Sequence, residues 1–267
     1  MTDRYAVIGN PVAHSRSPWI HGEFARACAQ DIEYSRIEAP LGRFAETVDA
    51  FRAAGGKGLN VTLPFKGDAY RYCTRPTERA RGAQAVNTLV LEGEVRGDTT
   101  DGPGLVADLE RNLDFPLRGR RVLLMGAGGA AQSVVASLLE AGVASLVIAN
   151  RTVGKAAALA ERFAGTLGSS YDAVAGRAFD LVVNATSSGL SGDAIALPAG
   201  VLRSGTLAYD MVYGRDTPFL ESARKAGARV SDGLGMLVEQ AAESFHIWRG
   251  VRPETGDVLR RLRNGAA

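Results

Sequence analysis

Residues 121–141 constrain this chain more than any other stretch. Arg121-Val122-Leu123-Leu124-Met125 is a short apolar run, Gly126-Ala127-Gly128-Gly129 a glycine turn, and 130–141 an apolar segment of helical period. Strand, tight turn and helix in that order form the βα unit of a parallel sheet. The stretch is nearly apolar from Val122 to Gly142 and long enough for a membrane span, but the glycines, Gln132, Ser133 and Glu140 divide it into strand, turn and helix. Short apolar runs alternate with longer helical segments almost throughout, which predicts an α/β fold with crossover helices.

The pattern places strands over 5–9, 34–38 and 58–63, with helices over 18–29, 44–54, 65–73 and 77–82. Runs 86–91 and 94–97, joined at Glu92-Gly93, resemble a hairpin. Asp98-Thr99-Thr100-Asp101-Gly102-Pro103-Gly104 marks a break, followed by a helix over about 105–113. A second series follows: strands over 121–125, 146–150, 180–184, 206–210 and 229–231, and helices over 130–141, 154–163 and 218–226. Helical patterns over 234–248 and 253–262 close the chain. With 267 residues, one large domain or two smaller ones are open. The break predicts two: 1–101, completed by 237–267, and 102–236.

Composition excludes several classes. Thirty-one Lys and Arg against 29 Asp and Glu leave a charge of +2, too balanced for nucleic acid or an anionic membrane as the main partner. Glycine is enriched, 32 residues against an average of about 7%, but the glycines fall at element ends rather than in a low-complexity tract. Cys28 and Cys73 can form no disulfide framework and have no Cys or His neighbours of a zinc site, so reduced thiols and no metal are expected. Met1-Thr2-Asp3-Arg4 leads straight into the first strand, so a cytoplasmic chain without a leader is expected.

The turn reads G-x-G-x-x-A. Gly126 permits the tight turn, Gly128 lets the backbone approach a pyrophosphate, and Ala131 allows close helix–strand packing. The helix N-terminus offers N–H groups and about half a positive charge to phosphates. At the end of the next strand stands Asn150-Arg151-Thr152, with Lys155 one turn on, where an NAD enzyme usually carries Asp or Glu. A carboxylate there would repel a ribose 2′-phosphate, whereas a guanidinium bonds it through paired donors. NADP is therefore expected over NAD.

Three segments concentrate polar groups where a strand meets a helix or loop. In His14-Ser15-Arg16-Ser17-Pro18, Ser17 reads as an N-cap before Pro18; capping does not explain Ser15, and two hydroxyls there also suit a carboxylate ligand. In Asn60-Val61-Thr62-Leu63-Pro64-Phe65-Lys66, Asn60 and Thr62 share a strand face. Lys66 opens the next helix against the macrodipole, which suits proton transfer or an ordinary exposed lysine. Asn87-Thr88 and Thr99-Thr100-Asp101 form the third segment, where Asp101 either caps a helix or holds a substrate hydroxyl and the Lys66 ammonium together.

These segments, with Gly82-Ala83-Gln84-Ala85-Val86-Asn87-Thr88, Asn184-Ala185-Thr186-Ser187-Ser188-Gly189, Tyr209-Asp210-Met211-Val212-Tyr213 and Asp232-Gly233-Leu234-Gly235-Met236-Leu237, resemble the shikimate dehydrogenase family in order over nearly the whole chain. The resemblance implies two α/β domains with a cleft between them. The first would be a substrate domain with a mixed sheet, the second a Rossmann-like NADP-binding domain, with the last helices returning to the first. It implies NADPH-dependent reversible reduction of 3-dehydroshikimate to shikimate in aromatic amino-acid biosynthesis. Lys66 would be the general acid/base, paired with Asp101. Ser15 and Ser17 would bind the substrate carboxylate, and Asn60, Thr62, Asn87, Tyr213 and Gln240 its hydroxyls and ring. Gly126, Ala127, Gly128, Gly129, Ala130, Asn150, Arg151, Thr152, Lys155, Thr186, Met211 and Gly233 would hold NADP, with Glu78 nearby. A small-molecule enzyme, monomer or homodimer, is the implied assembly. Gly22, Gln84 and Lys155 depart from the family's usual Asn, small residue and Arg, without removing a catalytic group. A broader quinate/shikimate dehydrogenase and a non-catalytic NADP sensor are the rivals. Ser17, where quinate-accepting members tend to carry Thr, and the complete Lys66/Asp101 pair favour the first reading.

Overall fold

The computed structural model describes residues 2–186 and 197–266, which cluster into two units, Met1–Gly104 with Leu237–Ala267 and Leu105–Met236. Ser187-Ser188-Gly189 of the sixth motif lie outside the described residues.

The first unit is built on a mixed sheet. β1 (Asp3–Gly9) runs parallel to β2 (Ile32–Glu38) and β3 (Gly56–Val61). Beside β3 the hairpin strands β5 (Thr88–Val90) and β6 (Arg96–Asp98) run antiparallel, and the two-residue β4 (Arg75–Pro76) closes the edge, in the order β2-β1-β3-β5-β6-β4. β1 and β3 are mostly buried, as strands covered on both faces should be. Ile8, Leu59, Phe44, Val48 and Phe65 share a core with Val86 and Leu89. Helices α1 (Ser17–Ala27), α2 (Phe44–Ala53), α3 (Lys66–Tyr72) and α4 (Glu78–Ala83) flank this sheet.

The second unit is a six-stranded sheet in which every pairing is parallel. β7 (Arg121–Met125), β8 (Ser145–Ala149), β9 (Thr166–Ser169), β10 (Leu181–Asn184), β11 (Leu207–Asp210) and β12 (Arg229–Asp232) stand in the order β12-β11-β10-β7-β8-β9. The order reverses between β7 and β10, and at such a switch point the loops after the strands diverge and leave a crevice at their carboxyl ends. Helices α5 (Asp101–Ala107), α6 (Gly129–Glu140), α7 (Val153–Ala160) and α8 (Pro218–Lys225) complete the connections among the described residues. The two sheet faces carry separate apolar clusters, one around Val122, Leu124, Val134 and Val183, the other around Leu123, Val147, Val182 and Phe219. That double burial explains why these strands read as continuous apolar runs.

Helix α9 (Leu234–Arg249) contains the second boundary, and α10 (Gly256–Arg263) belongs wholly to the first unit. Trp248 anchors the return: its indole N–H donates to Leu89 O at 3.0 Å, and its ring stacks on Tyr5 at 4.7 Å. Trp248 is itself half-buried, packed on the fully buried Tyr5. Arg249 bonds Asp3, and Arg261 reaches Glu23 at 2.5 Å.

Several expectations change. Ser17 is the first residue of α1 rather than its N-cap; Arg16 holds the cap position, and Ser15 Oγ accepts the Ser17 N–H at 3.3 Å. The helix expected from 105 begins at Asp101, because Pro103 fits a first turn where its missing N–H costs nothing. It passes into a π-turn over Asp108–Asn112. The first unit therefore extends to Gly104, which lies so close to Gln240 that a Cβ there would stand 2.7 Å from its backbone nitrogen. Strands β4 and β9 carry too little period to be read from sequence. Gln84 takes a left-handed conformation, φ 50°, at the end of α4. Cys28 and Cys73 are free thiols.

Candidate active site

Lys66 opens α3 and Asp101 opens α5; Lys66 Nζ lies 2.5 Å from Asp101 Oδ2. Both side chains are largely enclosed, with 16% and 7% of their surface exposed. An ammonium carries three N–H donors, and among the described residues only Asp101 is bonded to this one, so donor capacity remains for a ligand. Asn87 Nδ2 donates to the other carboxylate oxygen at 2.9 Å and to Thr100 Oγ1 at 2.9 Å. Its carbonyl oxygen accepts the Thr100 N–H at 2.8 Å, which fixes the amide's orientation. Gln240, from α9, brings Oε1 to 3.3 Å of Asn87 Nδ2. A buried ion pair of this kind depends on its remaining bonds, and removing one partner typically costs about 3–5 kcal/mol.

Asn60, on β3, is buried beside this group. Register pairs it with Thr88. Its Oδ1 accepts the Tyr34 hydroxyl at 2.7 Å, and its Nδ2 donates to Ser244 Oγ at 2.9 Å and Asn87 O at 3.2 Å. Thr62 lies just past β3, half-buried, with its methyl against Gly9. Ser15 donates to Ser17 Oγ at 3.1 Å, Ser17 also bonds the Tyr34 hydroxyl, and Arg36 holds Ser15 O at 3.0 Å. Burial pushes the Tyr34 hydroxyl well above its usual range, against a smaller downward pull from Ser17, so it stays a neutral donor. His21 stacks on Tyr34 at 4.2 Å; its complete burial drives the imidazole down to about 3, against an upward pull from Asn60. Glu78 is exposed at the start of α4 in this unit.

In the second unit the turn after β7 is built as its residues require. Gly126 has φ 105°, and a Cβ on it would meet Ala185 O at 3.0 Å. The space in front of Gly128 and Gly129 is open. No side chain caps α6, whose first helical bond runs from Gln132 N–H to Gly128 O. The first backbone donors of α6 therefore have no side-chain cap and open space beside them, a form suited to a diphosphate. Asn150 Nδ2 holds Thr152 O at 3.0 Å, shaping the start of α7, where Arg151, Thr152 and Lys155 are exposed.

Three family models match the chain: the shikimate dehydrogenase substrate binding domain over residues 7–89, shikimate / quinate 5-dehydrogenase over 109–191, and the shikimate 5′-dehydrogenase C-terminal domain over 233–263. The chain belongs to the shikimate dehydrogenase family. A shikimate dehydrogenase (NADP(+)) of Chromobacterium violaceum is 60% identical, over 98% of both chains. The crystal structure of an Ael1 enzyme from Pseudomonas putida superposes with a TM-score of 0.93 at 50% identity, covering 98% of each chain. A shikimate 5-dehydrogenase of Thermus thermophilus, solved with NADP(H) and shikimate, gives 0.89 at 34% identity, over 98% of this chain and 99% of that one.

The family's nucleotide fits the residues present: an open backbone cradle after β7 and exposed cations after β8 match a diphosphate and a 2′-phosphate in charge and donor type. Of the expected substrate residues, Lys66, Asp101, Asn87, Gln240 and Asn60 form one hydrogen-bonded set, and Ser17 joins it through Tyr34. Tyr213 stands apart from them in chain position, in the second unit, half-buried after β11 with Met211. That segment and Thr186 are rooted in two residues given no role from sequence. Buried Asp210 accepts from Asn184, Thr217 and the Val212 N–H, while Asn184 accepts the Thr186 hydroxyl at 2.7 Å. Desolvation raises the Asp210 carboxyl above its ordinary range, against these bonds. Gly233 is buried where a Cβ would meet Met211 O at 2.4 Å. Thr88, part of the third polar segment, had no role of its own there, and Tyr34 and Ser244 were not singled out; a polar residue in the apolar face of α9 was the available signal for Ser244. Among the described residues no helix is long and apolar enough to cross a membrane, and no three His, Cys, Asp or Glu could share a metal ion.

Proposed function

We propose that this chain catalyses the NADPH-dependent reversible reduction of 3-dehydroshikimate to shikimate, with Lys66 as general acid/base. The observation that carries the reading is the enclosed Lys66–Asp101 couple, whose carboxylate has both oxygens engaged while its ammonium keeps donors to spare. In the reducing direction Lys66 Nζ gives a proton to the carbonyl oxygen; in the oxidising direction the neutral amine takes it back. Asp101 holds that nitrogen in place and offsets its charge. When bound, NADPH supplies the hydride for the carbonyl carbon. Gly126 to Ala130 would take its diphosphate, and Asn150, Arg151, Thr152 and Lys155 its adenosine ribose and 2′-phosphate. Thr186, Met211 and Gly233 would line its nicotinamide end, and Glu78 would assist from the first unit. Ser15 and Ser17 would bind the substrate carboxylate, and Thr62, Asn87, Tyr213 and Gln240 its hydroxyls and ring. Asn60 supports them from beneath, because its amide is already bonded within the network. The reading carries with it a cytoplasmic enzyme of a small molecule, monomeric or homodimeric, acting without nucleic acid.

The test is the initial rate of nicotinamide reduction with shikimate and with quinate, each with NADP and with NAD. Turnover of shikimate with NADP, well above the other three combinations, is the expected result. No shikimate-dependent rate would overturn the reading, and equal rates with quinate would replace it with the broader dehydrogenase.

A further inference from the structure

The Lys66–Asp101 couple rests on Asn87, and Asn87 in turn rests on two hydroxyls that no ligand need touch. Thr88 and Ser244 are both completely buried. Taking the Thr88 hydroxyl as donor to Asn87 sets the direction of the bonds between them. Asn87 Oδ1 can only accept, so the Thr88 hydroxyl, 2.9 Å away, donates to it. With that proton spent, Thr88 Oγ1 accepts from Ser244 Oγ at 2.8 Å, a hydroxyl that also lies 3.0 Å from Gln240 O and 3.2 Å from Thr100 Oγ1. Ser244 Oγ then accepts from Asn60 Nδ2 at 2.9 Å, and Asn60 Oδ1 accepts from Tyr34 at 2.7 Å. The chain is polar in one sense from Asn60 to Asn87, and it ends with Asn87 Nδ2 turned to Asp101 Oδ1.

We infer that Thr88 and Ser244 are positioning residues for the Lys66–Asp101 couple, acting through the amide of Asn87. The inference rests on the function proposed above for that couple. Asn87 Oδ1 keeps the Thr100 N–H when Thr88 loses its hydroxyl, so the fold survives. The amide oxygen then keeps only its contacts with Thr100, and the carboxylate that the amide holds turns more freely against the ammonium. Ser244 works one step further back, by holding the Thr88 hydroxyl toward Asn87. Because it lies on the returning helix α9, four residues after Gln240, the inference also gives that helix a part in placing the reactive nitrogen.

The test compares Thr88→Val, which keeps the shape and removes the hydroxyl, with Thr88→Ser, Ser244→Ala and the double variant Thr88→Val/Ser244→Ala. Two readouts are taken on the full chain: kcat and KM for shikimate, and the rate at which an amine-directed acylating reagent labels each of the four lysines, resolved by peptide mass. Loss of one buried hydrogen bond predicts a fall in kcat of about tenfold for Thr88→Val, with KM held within about twofold. Lys66 labels several-fold faster while Lys57, Lys155 and Lys225 keep their rates. Thr88→Ser restores both readouts, and the double variant is no worse than Thr88→Val, since the two hydroxyls act in series. An unchanged kcat and unchanged Lys66 labelling in Thr88→Val overturns the inference, as does a double variant whose losses multiply. A wild-type chain without shikimate turnover would sink the proposed function, while the labelling comparison would still decide whether these hydroxyls pin the ammonium. Should Thr88→Val fail to fold, Ser244→Ala decides on the same readouts.

Discussion

The polar groups of the candidate site in the first unit are bonded mainly to one another, whereas those expected to hold the cofactor in the second face outward. Lys66, Asp101, Asn87, Thr88, Ser244 and Asn60 share a continuous set of hydrogen bonds under burial. The turn after β7 offers uncapped backbone donors, and the residues after β8 are exposed cations. The difference follows from what each must do. A proton donor has to be held in one geometry before the ligand arrives, because misplacement by about 1 Å costs about 10²-fold. A diphosphate brings its own charge and can be met by donors that water occupies until it binds.

The sharpest way to break this comparison is Lys66→Ala. It removes a group acting in the transition state, so kcat should fall by about 10²- to 10⁴-fold with KM little changed. Near-normal turnover would take the chemistry away from the first unit. Arg151→Ala addresses the other side: loss of a charge-assisted bond worth about 1.5–3 kcal/mol should raise KM for NADPH by about tenfold or more and leave NADH unaffected. Equal effects on both cofactors would show that the exposed cations do not read the 2′-phosphate.

The two units should also differ in their response to acid. His21 is held neutral by burial, with its folded value at about 3 against an ordinary 6.5. Below 6.5 the unfolded chain binds a proton that the folded chain refuses, so stability falls as pH drops through that value and goes on falling toward 3. From about pH 8 to about pH 5 the loss should be about 2 kcal/mol. Both tryptophans, Trp19 and Trp248, lie in the first unit, so urea unfolding followed by tryptophan fluorescence reads it directly. His21→Phe should flatten the dependence, and an unchanged slope would mean that another group carries it. In the second unit Arg121 hydrogen-bonds Asp180 and holds it down at about 2. That pair contributes above the ordinary 3.8 and is lost only as pH falls toward 2. Arg121 is about half exposed, so solvent screening keeps the contribution below about 1 kcal/mol. Arg121→Gln should therefore lower stability near neutrality by less than about 1 kcal/mol and flatten the acid dependence below about pH 4, read by far-UV circular dichroism.

The α/β class was legible because both faces of the parallel sheet are covered, so its central strands read as apolar runs, Val122 to Met125 and Leu181 to Val183 being the plainest. The glycine turn was legible because a left-handed residue and a close carbonyl leave only one residue type at position 126. Ser17 was misread as a cap because Pro18 marks the start of a helix to within a residue but does not say which residue is its first. The start at Asp101 was missed because Gly102-Pro103-Gly104 has the composition of a loop, and only packing against Gln240 makes it helical. Thr88 and Ser244 carried only weak local signals, a place in a polar segment and a polar residue on an apolar helix face, and their importance lies in a contact 156 residues apart in sequence.

Residue order alone therefore determined the elements, the chemistry available at each segment and the kind of cofactor that the basic end of β8 can meet, since these depend on short-range periodicity, turn stereochemistry and charge. Tertiary structure decided that Asn60 lies opposite Thr88 and that a helix 184 residues further along the chain supplies the serine between them. Hydrogen bonds act over about 3 Å, so the orientation of a single amide, and with it the carboxylate beside Lys66, is settled only when the sheet has its register and the last helices have packed back.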